Sequence, residues 1–344
     1  MTDALVAVAP ALGFLCAAVP LAVLLEKIGF FEAVAQFGAL RGRAVSVGSL
    51  WLVAAATTVV LNLDATVVLL TPIYVRLARR SGVDPLPVAL VPLLLASLAS
   101  SVLPVSNLTT LIVVERLGMS SFEVLVHLGP PTIAAVAVGW LAYRGRHRRY
   151  LPAAPVEVPD PRALRAGGAV VAVLLVGFVI GPSVGVHAWM VAVAGDVALI
   201  ALTRTFPWRS IPLVTSAVVA VVVAAVAAVA PSNAPDRLAS VHGHLALAAT
   251  VGIGAGAANL VNNLPATLAV VPSTGGASAG LWAWLVGVNV GAVLLPVGAL
   301  ANILWLRVLG ADGIAVTWRT YVRSVAPVAL PALAAAAVVA GFRS

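Results

Sequence analysis

Apolar runs of about 20 residues recur along the chain, each long enough to cross a hydrocarbon core as a helix. They predict spans over roughly 4–25, 86–114, 124–143, 166–186, 188–203, 211–230, 281–309 and 322–340. A partly amphipathic stretch over 26–43 reads as interfacial. Polar residues break the pattern at four places. LNLDATVVLLTP (61–72) sets Asn62, Asp64 and Thr66 between apolar arms at 44–61 and 66–80. NNLPATLAVVP (262–272) sets Asn262, Asn263 and Thr267 between arms at 245–260 and 267–272. Each reads as a re-entrant hairpin turning back at mid-membrane. Each precedes a proline-broken segment, LPVSNL (103–108) in the first case and LPVGAL (295–300) in the second.

The same two signals in the same order describe one unit written twice. The first repeat covers 1–143, with a hairpin at 44–80 and a broken helix at 86–114. The second covers 206–344, with a hairpin at 245–272 and a broken helix at 281–309. A basic loop and connecting spans fill 144–205. The predicted fold class is an all-α polytopic membrane protein of about eight spans plus two hairpins. Spans that open the two repeats are an odd number of crossings apart, so the repeats are expected to be inverted. Paired broken segments in inverted repeats are the architecture of secondary transporters, whose sites lie near the bilayer midplane.

Composition excludes a soluble globule. Hydrophobic residues make up 62 % of the chain and charged residues 9 %, against roughly 25 % charged in soluble domains. The net charge of +8 comes from short loops between apolar runs, so it reads as a topology signal and not as a nucleic-acid face. With this topology, seventeen of the lysines and arginines fall on one side and only Arg116, Arg237 and Arg343 on the other. The rich side is expected to be cytoplasmic, which puts both termini outside. The single cysteine, Cys16, excludes an intramolecular disulfide and a thiol metal cluster, and no signal peptide is read at the amino terminus.

Backbone that leaves a helix inside lipid must find partners or line a cavity. Asn62, Thr66, Ser106, Asn107, Asn262, Asn263, Thr267, Asn289 and Asn302 cluster at or near the breaks and are the candidate solute-binding residues. Capping of the half-helices is the alternative role for the asparagines. Asp64 is the candidate proton-coupling group, because an ionised carboxylate at mid-membrane must be paired, hydrated or protonated. Asp196, outside both repeats, reads as structural. His242 and His244 stand in HGH without a carboxylate or cysteine at metal spacing, so no metal and no cofactor is expected. Trp189, Trp208 and Trp318 fit interface anchors.

VPLAVLLEKIGFFEAVA (19–35), LNLDATVVLLTPI (61–73), VSNLTTLIV (105–113), NNLPATL (262–268) and LPVGALANILWLRVL (295–309) resemble, in order, landmarks of the arsenite efflux permeases. These belong to the ion-transporter superfamily that includes divalent-anion–sodium symporters. The resemblance implies two inverted repeats, export of arsenite or antimonite against inward proton flow, and in some systems a soluble ATPase subunit. A homodimer is a further expected partner state, beside the bilayer and a small-molecule or ion substrate. The chain departs from the family pattern at Leu63-Asp64-Ala65, where the family has Asn-Asp-Gly, and at Ser97, Asn289 and Val293, where the family carries charges. The leading function is a proton-coupled arsenite carrier of the bacterial cytoplasmic membrane working by alternating access. A sodium- or proton-coupled small-anion carrier or a sodium–proton antiporter is the alternative. A membrane enzyme acting on lipid is more remote, since no His/Asp/Glu or serine constellation shares one depth.

Overall fold

The computed structural model describes residues 2–37, 46–147, 160–229, 233–272 and 276–342. These residues form helices and connecting loops, and no strand occurs among them. The order is α1 (Thr2–Lys27), α2 (Phe30–Phe37), α3 (Val47–Val60), α4 (Leu63–Arg80), α5 (Pro85–Leu98), α6 (Leu108–Leu117), α7 (Ser121–Arg146) and α8 (Pro161–Ile180). It continues with α9 (Ala188–Thr203), α10 (Leu213–Val229), α11 (Ala234–Ala239), α12 (His244–Val261), α13 (Asn263–Leu268), α14 (Ala279–Val290), α15 (Leu300–Ala311) and α16 (Trp318–Gly341). Among the described residues six segments are long and apolar enough to cross a membrane: five lie within α1, α7, α8, α12 and α16, and Trp208–Val226 runs from the turn before α10 into it. Shorter apolar helices fill the space between them.

Local sequence sets the ends. Ser120 and Glu123 form a reciprocal capping box at the start of α7, satisfying two of its orphan amides. Asp84 accepts from Leu86 N at 3.0 Å, with Pro85 at the first helical position of α5. Gly118 ends α6 at φ +64°, a conformation with no Cβ penalty.

Both expected broken helices are broken. Between α5 and α6 the chain leaves the α-helix from Ala99 and makes one 3₁₀ turn at Pro104–Ser106. Between α14 and α15 it makes two such turns, Gly291–Leu294 and Pro296–Gly298. Each interruption is longer than the proline alone implied, because a proline removes one amide and also bars the residue before it from the helix. The helices before each break are the most enclosed: Val88–Leu98 of α5 and Gly280–Val290 of α14 are buried throughout. Gly287 lets α14 press on α12, since a Cβ there would sit 2.2 Å from Val251 O.

The helix is also interrupted at both Asn tips, at Leu61-Asn62 and at Asn262. The second tip differs from expectation. Its following helix starts at Asn263 and lasts six residues, and residues 269–272 are not helical. In the first half α4 runs 18 residues. The stretch 26–43 begins with the end of α1 and α2, while Arg41 and Arg43 lie outside the described residues, as do Arg148, Arg149 and Arg343.

Candidate functional site

Four interruptions converge on one cavity of about 340 Å³. Leu63 and Asp64 of α4, Asn107–Thr109 at the start of α6, Asn262–Pro265 around the start of α13, and Leu300 and Ile303 of α15 all line it. Thr215 and neighbouring valines of α10 close another side, with Leu15 of α1. No lysine or arginine is among the lining residues.

Asp64 stands in the first turn of α4, where helix-end amides favour negative charge. Its Oδ1 is buried and takes no hydrogen-bond partner among the described residues. An acid left unpaired beside a cavity is available to a proton or a solute. Asn263 is 6 % exposed, and its side-chain amide likewise makes no hydrogen bond to the described residues. Asn262, at φ +80°, caps α13 by accepting from Leu264 N at 3.2 Å and donates to Val297 O at 3.0 Å. It thereby ties the second tip to the second break.

Asn107 caps α6, its Oδ1 accepting from Thr109 N at 3.1 Å. The residue in the matching place of LPVGAL is Ala299, so α15 begins without a side-chain cap. Within that first turn the Asn302 N–H still donates to Ala299 O at 3.2 Å, and no side chain serves the amides before it.

The other sequence-predicted residues surround the breaks but do not line the cavity. Asn62 Oδ1 accepts from Ala65 N at 2.8 Å and caps α4. Thr66 Oγ1 donates to Asn62 O at 2.8 Å, and Thr267 Oγ1 donates to Asn263 O at the same distance, so the NLxAT register recurs in both halves. Ser106 Oγ donates to Val59 O at 2.9 Å and accepts from Leu103 N at 3.3 Å. Asn302 Nδ2 donates to Ala292 O at 2.8 Å and Leu295 O at 2.9 Å, feeding the carbonyls freed by the second break. Asn289 sits behind the cavity wall, bonded to Ser101, Asn107, Thr109 and Thr110.

Asn259 is not among the residues that the sequence pattern singles out. Its Nδ2 donates to Ala255 O at 2.7 Å and Gly291 O at 2.8 Å, and its Oδ1 accepts from Leu295 N at 2.7 Å. The available signal was an asparagine inside an apolar helix one turn before Asn262 and Asn263. Trp305 Nε1 donates to Ala89 O at 2.7 Å and Tyr321 OH to Val293 O at 2.8 Å, while Ser97 Oγ and Asn302 Oδ1 stay buried without a partner among the described residues. Asp196 lies on α9, away from the cavity, with Oδ1 buried and unpaired. His244 Nδ1 lies 2.6 Å from Gly341 O, within a helix-to-helix contact. Among the described residues no group of three His, Cys, Asp or Glu side chains gathers to hold a metal ion.

Residues 4–288 match the family described as citrate transporter. The arsenical pump membrane protein of Yersinia enterocolitica is 28 % identical over 361 residues, spanning 92 % of this chain and 82 % of that protein. The protein of the same description from Escherichia coli strain K12 is 26 % identical over 359 residues, with the same coverage. In three dimensions the chain is similar to the YdaH transporter of Alcanivorax borkumensis, with a TM-score of 0.63 and 15 % identity, over 99 % of this chain and 86 % of that one.

Proposed function

The chain belongs to the citrate transporter family, and we propose that it is a secondary carrier exporting arsenite or antimonite in exchange for protons. The observation that carries the reading is the cavity itself. Asp64, its Oδ1 unpaired, shares the cavity with three asparagines and two threonines, with no cationic side chain among the lining residues. Arsenous acid is neutral near physiological pH, and a wall of amides, hydroxyls and one acid suits a neutral polyhydroxyl solute. The relatives named arsenical pump membrane protein support the same solute.

Asp64 is the coupling group in this proposal, and Asn107, Asn262 and Asn263 contact the solute. Asn62, Thr66, Ser106, Thr267, Asn289 and Asn302 act one step behind, holding the interrupted backbone. The two tips are re-entrant hairpins of inverted repeats over 1–143 and 206–344. Alternating access moves them against a frame made by the remaining spans, in a bacterial cytoplasmic membrane with both termini outside. A soluble ATPase subunit and a homodimer are compatible partners.

A second reading, a small-anion carrier, is favoured by one observation. The amino-terminal ends of α4, α6 and α15 border the cavity, and helix amino termini attract anions. Everted membrane vesicles separate the two. Arsenite uptake that requires an acid interior supports the proposal. Sodium-driven citrate uptake without arsenite movement transfers the function to the second reading.

A further inference from the structure

Asn289 is buried on α14 at 1 % exposure. Its Oδ1 accepts from Asn107 Nδ2 at 3.0 Å and from Thr109 Oγ1 at 2.6 Å. Its Nδ2 donates to Ser101 Oγ at 3.0 Å and Thr110 Oγ1 at 2.9 Å. Two lone pairs and two protons are all that a carboxamide has. None remains for a solute.

The direction of this network is fixed from the backbone. Thr109 N–H can only donate, and it donates to Asn107 Oδ1. Asn107 must then turn its Nδ2 towards Asn289, whose facing atom must be the oxygen. Both protons of Asn107 Nδ2 are spent, on Asn289 Oδ1 and on Ser100 Oγ at 3.2 Å. The single hydroxyl proton of Thr109 is spent on Asn289 as well. What Asn107 and Thr109 still offer the cavity is lone pairs, and ionised Asp64 offers the same. Side-chain donors come from the other half of the chain, at Asn263 and Asn262.

We propose that Asn289 is a positioning residue that sets the hydrogen-bond polarity of the cavity. By drawing the donors of Asn107 and Thr109 away from the cavity, it leaves side-chain acceptors on the first half, opposite side-chain donors on the second. A neutral polyhydroxyl acid, which donates and accepts, satisfies both walls. The carboxylates of an anion such as citrate only accept, so on the first half they meet side-chain lone pairs and have only the helix-end amides of α4 and α6 to attract them. The proposal rests on the reading of this cavity as the solute site and adds what fixes its selectivity.

The test is direct binding to the purified full-length carrier in lipid nanodiscs at neutral pH, with arsenous acid, boric acid and citrate as probes. Wild type is expected to bind the two neutral acids in preference to citrate. Asn289→Ala returns two donors to the cavity, so the ratio of arsenous acid to citrate affinity should move about tenfold towards citrate, the scale of one hydrogen bond. Should that variant fail to fold, Thr109→Val should weaken both neutral acids about tenfold without weakening citrate, and Thr109→Ser should restore them. Boric acid binding without arsenous acid binding would remove the arsenite reading and keep the polarity assignment. Preference of wild type for citrate, no binding of either neutral acid, or an unmoved ratio in Asn289→Ala and Thr109→Val overturns the assignment.

Discussion

Asp64 of α4 and Asn263 of α13 line the same cavity, although they come from opposite halves of the chain. Asp64 Oδ1 is buried without a hydrogen-bond partner among the described residues, as are Ser97 Oγ and Asn302 Oδ1 behind the wall, but of these three residues only Asp64 lines the cavity. Unpaired groups beside a cavity are where a solute or proton gains most, because their desolvation is already built into the fold.

Asp64→Asn should uncouple the carrier. One charge moved across the membrane is worth about 2.3 kcal/mol per 100 mV, or roughly fifty-fold in a concentration ratio. Asparagine keeps the shape and cannot exchange a proton, so proton-driven accumulation should vanish while downhill flux of the solute persists. Solute accumulation in everted vesicles under an imposed proton gradient reads this, and undiminished accumulation would remove Asp64 from the mechanism.

Asn259→Ala should destabilise the fold without touching the cavity wall. It strands Leu295 N–H and Gly291 C=O at the second break, and each buried unpaired group costs on the order of 1–3 kcal/mol. A lowered unfolding midpoint in detergent, with near-normal solute affinity in the folded fraction, is the expected pair of results.

Gly298→Ala tests how tightly the second break is built. A Cβ at Gly298 would lie 2.1 Å from Ala292 O and 2.7 Å from Asn259 Oδ1, so overpacking of about 1–3 kcal/mol is expected. Gly256→Ala, which opens onto empty space, should stay within about 0.5 kcal/mol of wild type. Thermal unfolding of the two variants side by side gives the comparison.

The positions of the breaks were legible in the sequence, because an asparagine or proline inside an apolar run has few physical explanations in lipid. The task of each polar residue was less legible. Asn289 was expected at the solute, yet its amide is exhausted by partners some 180 positions away, which no local spacing encodes. Asn259 was passed over because it sits mid-helix, and only folding brings Gly291 and Leu295 to it. The apolar run after Asn263 also does not show that α13 stops at Leu268, six residues on from its Asn262 cap.

Ser216→Cys should form a disulfide with Cys16. The native pair already has Sγ and Oγ 3.2 Å apart, joining α1 to α10, and a small approach reaches the bonding distance of about 2.05 Å. Oxidation should pin the α10 wall of the cavity and stop transport, with recovery on reduction. Full transport in the cross-linked protein would show that this wall does not move.

In this mechanism the solute sits where the two halves meet. Anomalous scattering from arsenic in crystals of the full-length carrier soaked with arsenite tests it most directly. One arsenic peak is expected in the cavity, within hydrogen-bonding reach of Asn263 and Thr109 and lost in Asn263→Ala. A peak outside this cavity, or none at saturating arsenite, would contradict it.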